Sequence, residues 1–354
     1  MKIKPLSMLL GAIPVSLIIT ACNSASSSSS SSNNTTPVVV FAGGSDESGF
    51  GAVYTYTAES LYTIKSGIGV RGCAVNSIAL LNNTLYVAGC NDRGGGAVYA
   101  ESSATGWTTI ESDVGSTTVT SLATDSNTLY AGGENPGAAN GAIYSYNGES
   151  WGLVESNIGS VSLYSLVSAG NSLLYTGSYS SNYVSGAVYS YDNGTLSLVE
   201  SSIGSCRIRA LAVATNGTLY VGGCDQNESG SVYSYANGIW ESIASGLGGV
   251  AVGSAPIQAL AVASNGTVYA GGYDESGFGA VYAYSSGTWT TIRSGIGVVN
   301  CPVSSVSVAL NDTLYIGGCD ANTLGAIYTY TNNTWSILES AIPGGTIKSL
   351  TFTY

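Results

Sequence analysis

The stretch IQALAVASNGTVYAGGYDESGFGAVYAYSSGTWTTIRSGIG, residues 257–297, decides the fold of this chain. It contains four short runs in which apolar and polar residues alternate, and clusters of turn residues bound each run, as is typical of antiparallel strands. The runs cover residues 258–263, 267–271, 280–284 and 288–293. Asn265-Gly266 and Ser286-Gly287 form two-residue turns, because glycine adopts a positive φ without steric cost. The stretch therefore predicts one four-stranded antiparallel sheet.

The same pattern recurs along the chain at spacings of 44 to 49 residues. Its most regular part is the third-strand phrase Gly-(Ala/Ser)-(Val/Ile)-Tyr. This phrase begins at Gly51, Gly96, Gly141, Gly186, Gly230, Gly279 and Gly325. A period of this length with four strands per unit is typical of radially arranged blades. Because seven copies occur and no helical periodicity is sustained, the sequence predicts an all-β, seven-bladed β-propeller of four-stranded antiparallel blades.

The two ends of the repeat region are incomplete in complementary ways. The region begins with a second strand, residues 38–42, and ends with a first strand, residues 347–352. Together with the runs at 52–56 and 61–64, these strands make up one complete blade. The N-terminal and C-terminal strands are therefore predicted to share a blade, which leaves no exposed sheet edge where the ring closes.

Glycine doublets and spaced aromatic residues mark most of the repeats. The doublets are Gly132-Gly133, Gly222-Gly223, Gly271-Gly272 and Gly317-Gly318, and the aromatic pairs are Tyr144 and Trp151, Tyr233 and Trp240, Tyr282 and Trp289, and Tyr328 and Trp335. The pattern resembles the kelch-type β-propeller over nearly the whole chain after residue 37. The departures are Ala88-Gly89 and Gly177-Ser178 at the doublet, and Leu61 and Leu196 at the tryptophan position. The resemblance implies a propeller used for binding, scaffolding or, in a few members, catalysis.

The N-terminal segment is predicted to be a targeting signal. Residues 1–21 contain two lysines followed by an apolar stretch that is too short to span a bilayer comfortably, which indicates a signal peptide. Ile19-Thr20-Ala21-Cys22 resembles a bacterial lipobox, in which Cys22 carries the lipid; ordinary cleavage beside a chance cysteine is the alternative. By similarity to such lipoproteins, Asn23 favours the outer membrane. Residues 22–36 form a Ser/Asn/Thr-rich tether, and residues 37–354 form the propeller.

The six other cysteines fall into three pairs that flank predicted first hairpins. The pairs are Cys73 and Cys90, Cys206 and Cys224, and Cys301 and Cys319. An antiparallel hairpin brings the two members of each pair opposite each other, at a Cα separation that a disulfide can bridge. Three intrablade disulfides are therefore predicted, and they indicate an oxidising compartment and hence export.

Composition excludes several classes of function. The chain has no histidine, which rules out a histidine-dependent catalytic triad and histidine-ligated metal sites. The formal net charge of −12 argues against nucleic acid as a partner. No cofactor and no metal ion are expected.

Acidic residues cluster after the second strands. They are Asp46, Asp92, Glu134, Asp225, Asp274 and Asp320. One interpretation is that each carboxylate caps its own turn through backbone amides, as Asx residues commonly do. The other is a ring of acids on one face that binds cations or a basic partner. The sequence singles out no two of them as a catalytic pair, so no catalytic residue is predicted.

A second set of candidate residues varies from blade to blade. One polar position at the start of the first strands holds Asn76, Thr120, Tyr164, Arg209, Gln258, Ser304 and Lys348. Because innermost strands line the axis of a propeller, these residues are predicted to form one ring near the channel mouth. The ring is either a ligand site, with Arg209 and Lys348 as its charged members, or a hydrated channel without a ligand.

These features favour a non-enzymatic binding scaffold tethered in the cell envelope, in the periplasm or at the cell surface. The expected partner is an unidentified protein or glycan, the propeller is expected to be monomeric, and the lipid anchor is its only expected membrane contact. The alternative is a lectin or carbohydrate-active enzyme at the channel mouth, because some exported kelch-like propellers act on sialic acid. Arg71, Arg207 and Arg209 are predicted to lie near that face.

Overall fold

The computed structural model describes residues 38–57, 60–102, 105–115, 118–135, 138, 140–179, 185–248 and 256–353. These residues form 28 β-strands and no helix, so the described part of the chain contains no helix able to cross a membrane. The strands pair into seven sheets of four antiparallel strands each, which confirms the predicted propeller. The predicted signal peptide, Cys22 and the tether lie outside the described residues.

Each sheet is one blade, numbered from the blade that contains the first strand. The strands are β1 (Val39–Ser45), β2 (Gly51–Thr57) and β3 (Ser60–Ile68) in blade 1; β4 (Ser77–Leu81), β5 (Thr84–Cys90), β6 (Gly96–Ser102) and β7 (Gly106–Ser112) in blade 2; β8 (Ser121–Asp125), β9 (Thr128–Glu134), β10 (Gly141–Tyr146) and β11 (Trp151–Ile158) in blade 3; β12 (Ser165–Gly170), β13 (Leu173–Tyr179), β14 (Gly186–Asp192) and β15 (Thr195–Ile203) in blade 4; β16 (Ala210–Val213), β17 (Leu219–Cys224), β18 (Gly230–Ala236) and β19 (Ile239–Leu247) in blade 5; β20 (Ile257–Val262), β21 (Val268–Tyr273), β22 (Gly279–Ser285) and β23 (Thr288–Ile296) in blade 6; β24 (Ser305–Val308), β25 (Leu314–Cys319), β26 (Gly325–Thr331) and β27 (Thr334–Ile342) in blade 7; and β28 (Ser349–Thr353), which completes blade 1.

The innermost strands β28, β4, β8, β12, β16, β20 and β24 each contact the next one around a central axis. Serine side chains reinforce several of these contacts. The hydroxyl of Ser77 accepts a hydrogen bond from the amide of Leu122 at 3.0 Å, and that of Ser121 accepts one from Leu166 at 3.0 Å. The first strands of all seven blades therefore line one channel.

Strand β28 closes the ring by pairing antiparallel with β1, as predicted. Val40 lies opposite Phe352 in this ladder. The next blade is joined across the seam as well, because the amide of Ile78 donates to the Ser349 hydroxyl at 3.0 Å. The strand begins two residues later than predicted, and Ile347 lies buried in the connection that precedes it.

The outermost strands are longer than predicted. In blade 6 the prediction ended at residue 293, whereas β23 continues to Ile296. Its ladder with β22 shifts register on either side of Val281, because a bulge adds an unpaired residue to one strand and lets the pairing resume beyond it. All seven blades have at least one such bulge between the third and outermost strands.

The three predicted disulfides are present. The Cα atoms are 6.2 Å apart in Cys73–Cys90, 5.9 Å apart in Cys206–Cys224 and 6.3 Å apart in Cys301–Cys319. Each bridge links the connection that enters an innermost strand to the last residue of the second strand. The bridges therefore fix the segments that lead into the channel in blades 2, 5 and 7.

Candidate ligand site at the channel mouth

The variable residues lie at the beginning of the innermost strands, and some of them contact one another. The ammonium group of Lys348 lies 3.4 Å from the Asn76 amide oxygen. Asn76 in turn donates to the carbonyl of Val119 in the next blade at 3.2 Å, and the Thr120 hydroxyl donates to the carbonyl of Leu163 in the blade after that. These contacts run around one side of the channel.

The other side of the channel carries an arginine and an aromatic ring. The Arg209 guanidinium donates to the Gln258 side-chain oxygen at 3.4 Å and lies 5.5 Å from the centre of the Tyr164 ring. Ser304, the remaining ring member, donates its backbone amide to Gly317 at 3.0 Å. The mouth thus combines two cations, two amide side chains, two hydroxyl residues and a tyrosine.

The surroundings of Arg209 and Lys348 at the mouth disfavour the charged forms of these side chains. Burial lowers the pKa of Arg209, and the neighbouring Arg207 lowers it further. Enclosure within the channel also lowers the pKa of Lys348, with a smaller contribution from Arg209 across the channel. Lys348 keeps contact with solvent, as expected for a side chain surrounded by protein but lining an open channel. A lowered pKa means that folding disfavours the charged form, so these charges do not stabilise the propeller.

Arg207 belongs to the same cluster, although it precedes the variable position by two residues. Its guanidinium lies 5.1 Å from the centre of the Tyr164 ring and 5.5 Å from that of Tyr179. The structure thus brings Arg207 and Arg209 against one tyrosine. Arg71, also predicted near this face, is exposed and contacts Gly49 in the loop between β1 and β2 of blade 1.

Asp225 does not neutralise the arginines. Its carboxylate accepts hydrogen bonds from the amides of Asn227 at 2.8 Å and Ser229 at 3.0 Å, and from the Ser245 hydroxyl at 2.7 Å. Burial acts to raise the pKa of Asp225, but these hydrogen bonds outweigh it and lower the pKa below its usual value. The carboxylate is therefore engaged with its own loop and the outermost strand of its blade.

Other acidic loops show the same arrangement. Asp274 accepts hydrogen bonds from the amides of Ser276 at 2.9 Å and Phe278 at 3.0 Å within its turn, and from Gly295 in the outer-strand bulge at 2.9 Å. Asp46 binds Ser48, Phe50 and Gly67 in this way, and Asp320 binds Asn322, Leu324 and Ala341. These contacts support the turn-capping interpretation over a ring of free acids.

Asp92 and Glu134 do not occupy the turn-capping position, which lies one residue away from each of them. In blade 2 the capping residue is Asn91, whose side-chain oxygen accepts from the amides of Arg93 at 2.9 Å and Gly95 at 3.0 Å. In blade 3 the corresponding turn is built on Asn135. An asparagine oxygen makes the same local bonds as a carboxylate, which leaves the adjacent acid outside the turn.

The capping role predicts different effects for two otherwise similar substitutions. Asp274→Ala should lower the free energy of unfolding by about 1–2 kcal/mol, because the turn and bulge amides lose their shared acceptor. Asp92→Ala is the matched control and should change it by less than about 0.5 kcal/mol. Urea unfolding of both variants measures the difference, and equal effects would contradict the assignment.

Among the described residues, no group of three or more cysteine, aspartate or glutamate side chains is placed to hold a metal ion. The chemistry that the mouth can offer is therefore that of its guanidinium, ammonium, amide and hydroxyl donors. These groups suit the binding of an electron-rich ligand.

Comparisons with solved structures support the fold. The chain is similar to a candidate 6-phosphogluconolactonase from Bacteroides fragilis NCTC 9343, with a TM-score of 0.64 and 12% identity over 92% of this chain and 100% of that one. A similar candidate enzyme from Bacteroides uniformis ATCC 8492 gives 0.66 and 14% over 90% and 99%. YCF48 bound to a D1 peptide gives 0.52 and 14% over 74% and 81%. No known family model matches the chain, and no curated protein matches it in sequence. These similarities establish a propeller fold.

Proposed function

We propose that this protein is an exported, non-enzymatic binding protein of the kelch type that engages its ligand at the channel mouth. The observation that supports this proposal most directly is that seven equivalent positions, at the beginning of the innermost strands, hold seven different residues. The next position, by contrast, holds only serine or alanine: Ser77, Ser121, Ser165, Ala210, Ala259, Ser305 and Ser349. Packing alone would favour one residue type at both positions, so ligand recognition accounts better for the variation.

The cellular setting of the proposal rests on separate features. The three intrablade disulfides support an oxidising compartment outside the cytoplasm. The Ile19-Thr20-Ala21-Cys22 motif supports a lipid on Cys22, with the propeller held off the outer membrane by residues 22–36. The protein is thus a tethered scaffold that presents a rigid ring to ligands in the periplasm or outside the cell.

A carbohydrate-binding protein or carbohydrate-active enzyme is the second candidate. It is favoured by Arg207 and Arg209 packed on Tyr164, since guanidinium groups hydrogen-bond well to the oxygens of acidic sugars. The two candidates differ in ligand class but use the same place in the molecule. A test that includes both glycans and peptides therefore separates them.

The experiment first probes the purified full-length protein on glycan and peptide arrays. Binding of any ligand found there is then measured with a variant whose channel mouth is narrowed by substitution. Ser304→Trp adds bulk at the ring without changing its charge, and it should weaken binding of a true ligand at least about tenfold, since the ligand loses contact area. Ser294→Trp, at an exposed position on β23, is the matched control and should bind as the unchanged protein does. Undiminished binding by a folded Ser304→Trp variant would place the ligand elsewhere and overturn the proposal.

A further inference from the structure

The channel mouth contains two arginines, Arg207 and Arg209, that lie against the ring of Tyr164. Among the described residues, the charges that shift the pKa of Arg209 belong to Arg207 and to tyrosines, with no carboxylate among them, and its hydrogen-bond acceptor Gln258 is neutral. The Glu134 carboxylate acts on the Tyr164 hydroxyl. We infer that this pair binds the oxyanion group, a carboxylate or a phosphate, of a small solute. The inference rests on the proposed binding function and adds the chemical class of the ligand.

Unsatisfied donors are the first support for this site. The Nε atoms of Arg207 and Arg209 are shielded from solvent and have no hydrogen-bond acceptor in the part of the chain that the structure describes. Buried polar groups in proteins are nearly always paired, because a donor without an acceptor destabilises the fold. Both residues keep an intermediate solvent exposure. An oxyanion that bound at the accessible part of each guanidinium would supply acceptors in the planar geometry that guanidinium groups match, and would offset the cost of the buried Nε donors.

The aromatic residues hold the two guanidinium groups in place. Arg207 is 5.1 Å from the centre of the Tyr164 ring and 5.5 Å from that of Tyr179, and Arg209 is 5.5 Å from Tyr164. Such cation–π contacts restrict both side chains before any ligand arrives. A ligand that meets groups already in position loses less entropy on binding. Two like charges beside one ring also repel each other, and an anion between them would relieve that repulsion.

The arginine-bearing segment is anchored and differs from its equivalents. It directly follows Cys206, which is bridged to Cys224 at the end of β17. The residues two positions before the ring members are Ala74, Thr118, Ser162, Arg207, Pro256, Pro302 and Thr346. Only blade 5 has a charged residue there, so the general packing of the blades does not require one. The disulfide and the charge together indicate that blade 5 carries a preformed binding site.

A third cation extends the positive field across the channel. Lys348 contacts Asn76 on the far side of the mouth, and its pKa is lowered by burial and to a smaller extent by the charge of Arg209. The whole chain carries a net charge of −12, yet the mouth concentrates positive charge. Such a local field raises the concentration of anions at the site.

Calorimetric titration of the purified full-length protein tests the inference. The probes are glucuronate, glucose 6-phosphate, orthophosphate and neutral glucose. Glucuronate or glucose 6-phosphate should bind saturably, and glucose should not bind. Comparing the three anions shows whether a carboxylate, a sugar phosphate or free phosphate is preferred.

Arg207→Gln and Arg209→Gln should each raise the Kd of the bound anion about 10- to 100-fold, the loss expected for one hydrogen bond to a charged group. Arg93→Gln, which removes an exposed charge on another loop, should leave the Kd unchanged.

A second measurement distinguishes loss of the anion site from misfolding of the variants. The 15N resonances of the Arg207 and Arg209 Nε–H groups should shift when the anion is added, and the melting temperatures of both Gln variants should not fall. Equal anion binding by the Arg207→Gln, Arg209→Gln double variant, or no anion binding at all, would overturn the inference. If a neutral ligand is lost in Ser304→Trp but kept in the arginine variants, the inference fails while the proposed function stands.

Discussion

Deleting residues 346–354 is expected to destabilise the whole propeller, not only its last strand. The deletion removes β28, the innermost strand of blade 1, and with it the seam that joins the two ends of the chain. It also removes buried Ile347 and Leu350 from a cluster that includes Tyr54 of blade 1 and Tyr315 of blade 7. The interface of blade 1 with blade 7 therefore loses part of its core, and the interface with blade 2 loses the hydrogen bond from the Ile78 amide to Ser349.

The expected loss is comparable to the stability of the protein. Burial of Ile347 and Leu350 contributes about 3–6 kcal/mol together, at about 1.5–3 kcal/mol for each side chain. Phe352, whose ring centre is 5.7 Å from that of Tyr315, adds a partly buried contact. Domains are typically stable by only about 5–15 kcal/mol. The truncated chain should melt far below the intact protein and associate through the exposed edge of β1.

Thermal unfolding and size-exclusion chromatography of the truncated protein measure this effect. A synthetic peptide of residues 346–354 should restore part of the lost melting temperature by pairing with β1, as an added strand completes an open sheet.

Two point variants provide a matched test within β28. Leu350→Ala should cost about 2–5 kcal/mol, whereas Thr351→Ala, on the less buried face, should cost less than about 1 kcal/mol. A monomeric truncated protein with an unchanged melting temperature would contradict ring closure by β28.

Features that repeat in the sequence could be predicted accurately, including which residues of neighbouring strands lie opposite each other. The disulfide partners follow from hairpin geometry, because each turn determines which residues on its two strands face each other. Cys206 and Cys224 lie on either side of one such hairpin, and the structure pairs them. The same reasoning joins residues 38–42 to the C-terminal strand, because an incomplete repeat at each end leaves one arrangement for the closing blade.

The features that could not be predicted depend on contacts between residues far apart in sequence. Arg207 was expected near this face, but its contact with Tyr179, which ends a strand of the preceding blade, could not be predicted. No periodicity links such positions. The acidic loops were misassigned in blades 2 and 3 for another reason. Asn91 caps its turn as an aspartate does, so the spacing of acids alone does not identify the capping residue.

Loss of the three disulfides is expected to reduce stability about as severely as loss of β28. The bridges span 17 or 18 residues each, and closing a loop of that size in the unfolded chain contributes about 3 kcal/mol in the loop-entropy account. The three bridges lie in blades 2, 5 and 7, no two of which are adjacent. Their contributions should therefore add, to a total of about 9 kcal/mol.

Paired Cys→Ser variants allow this sum to be measured. Each double variant should lower the free energy of urea unfolding by about 3 kcal/mol, and the variant that lacks all three bridges should be at most marginally folded. Peptide mapping without reductant should recover Cys73–Cys90, Cys206–Cys224 and Cys301–Cys319 from the exported protein. Free thiols at these positions or a bridge between blades would contradict the assignment.

The three bridges should differ in one functional respect even if their energies are equal. Cys206–Cys224 anchors the segment that carries Arg207 and Arg209, whereas Cys73–Cys90 and Cys301–Cys319 anchor segments without arginine between the first cysteine and the innermost strand. Removing the blade 5 bridge should therefore weaken anion binding beyond its effect on stability, because the guanidinium groups lose a fixed backbone. Removing either of the other bridges should lower stability and leave the Kd of the folded protein unchanged. Equal changes in Kd for all three would mean that the bridges act on the fold alone.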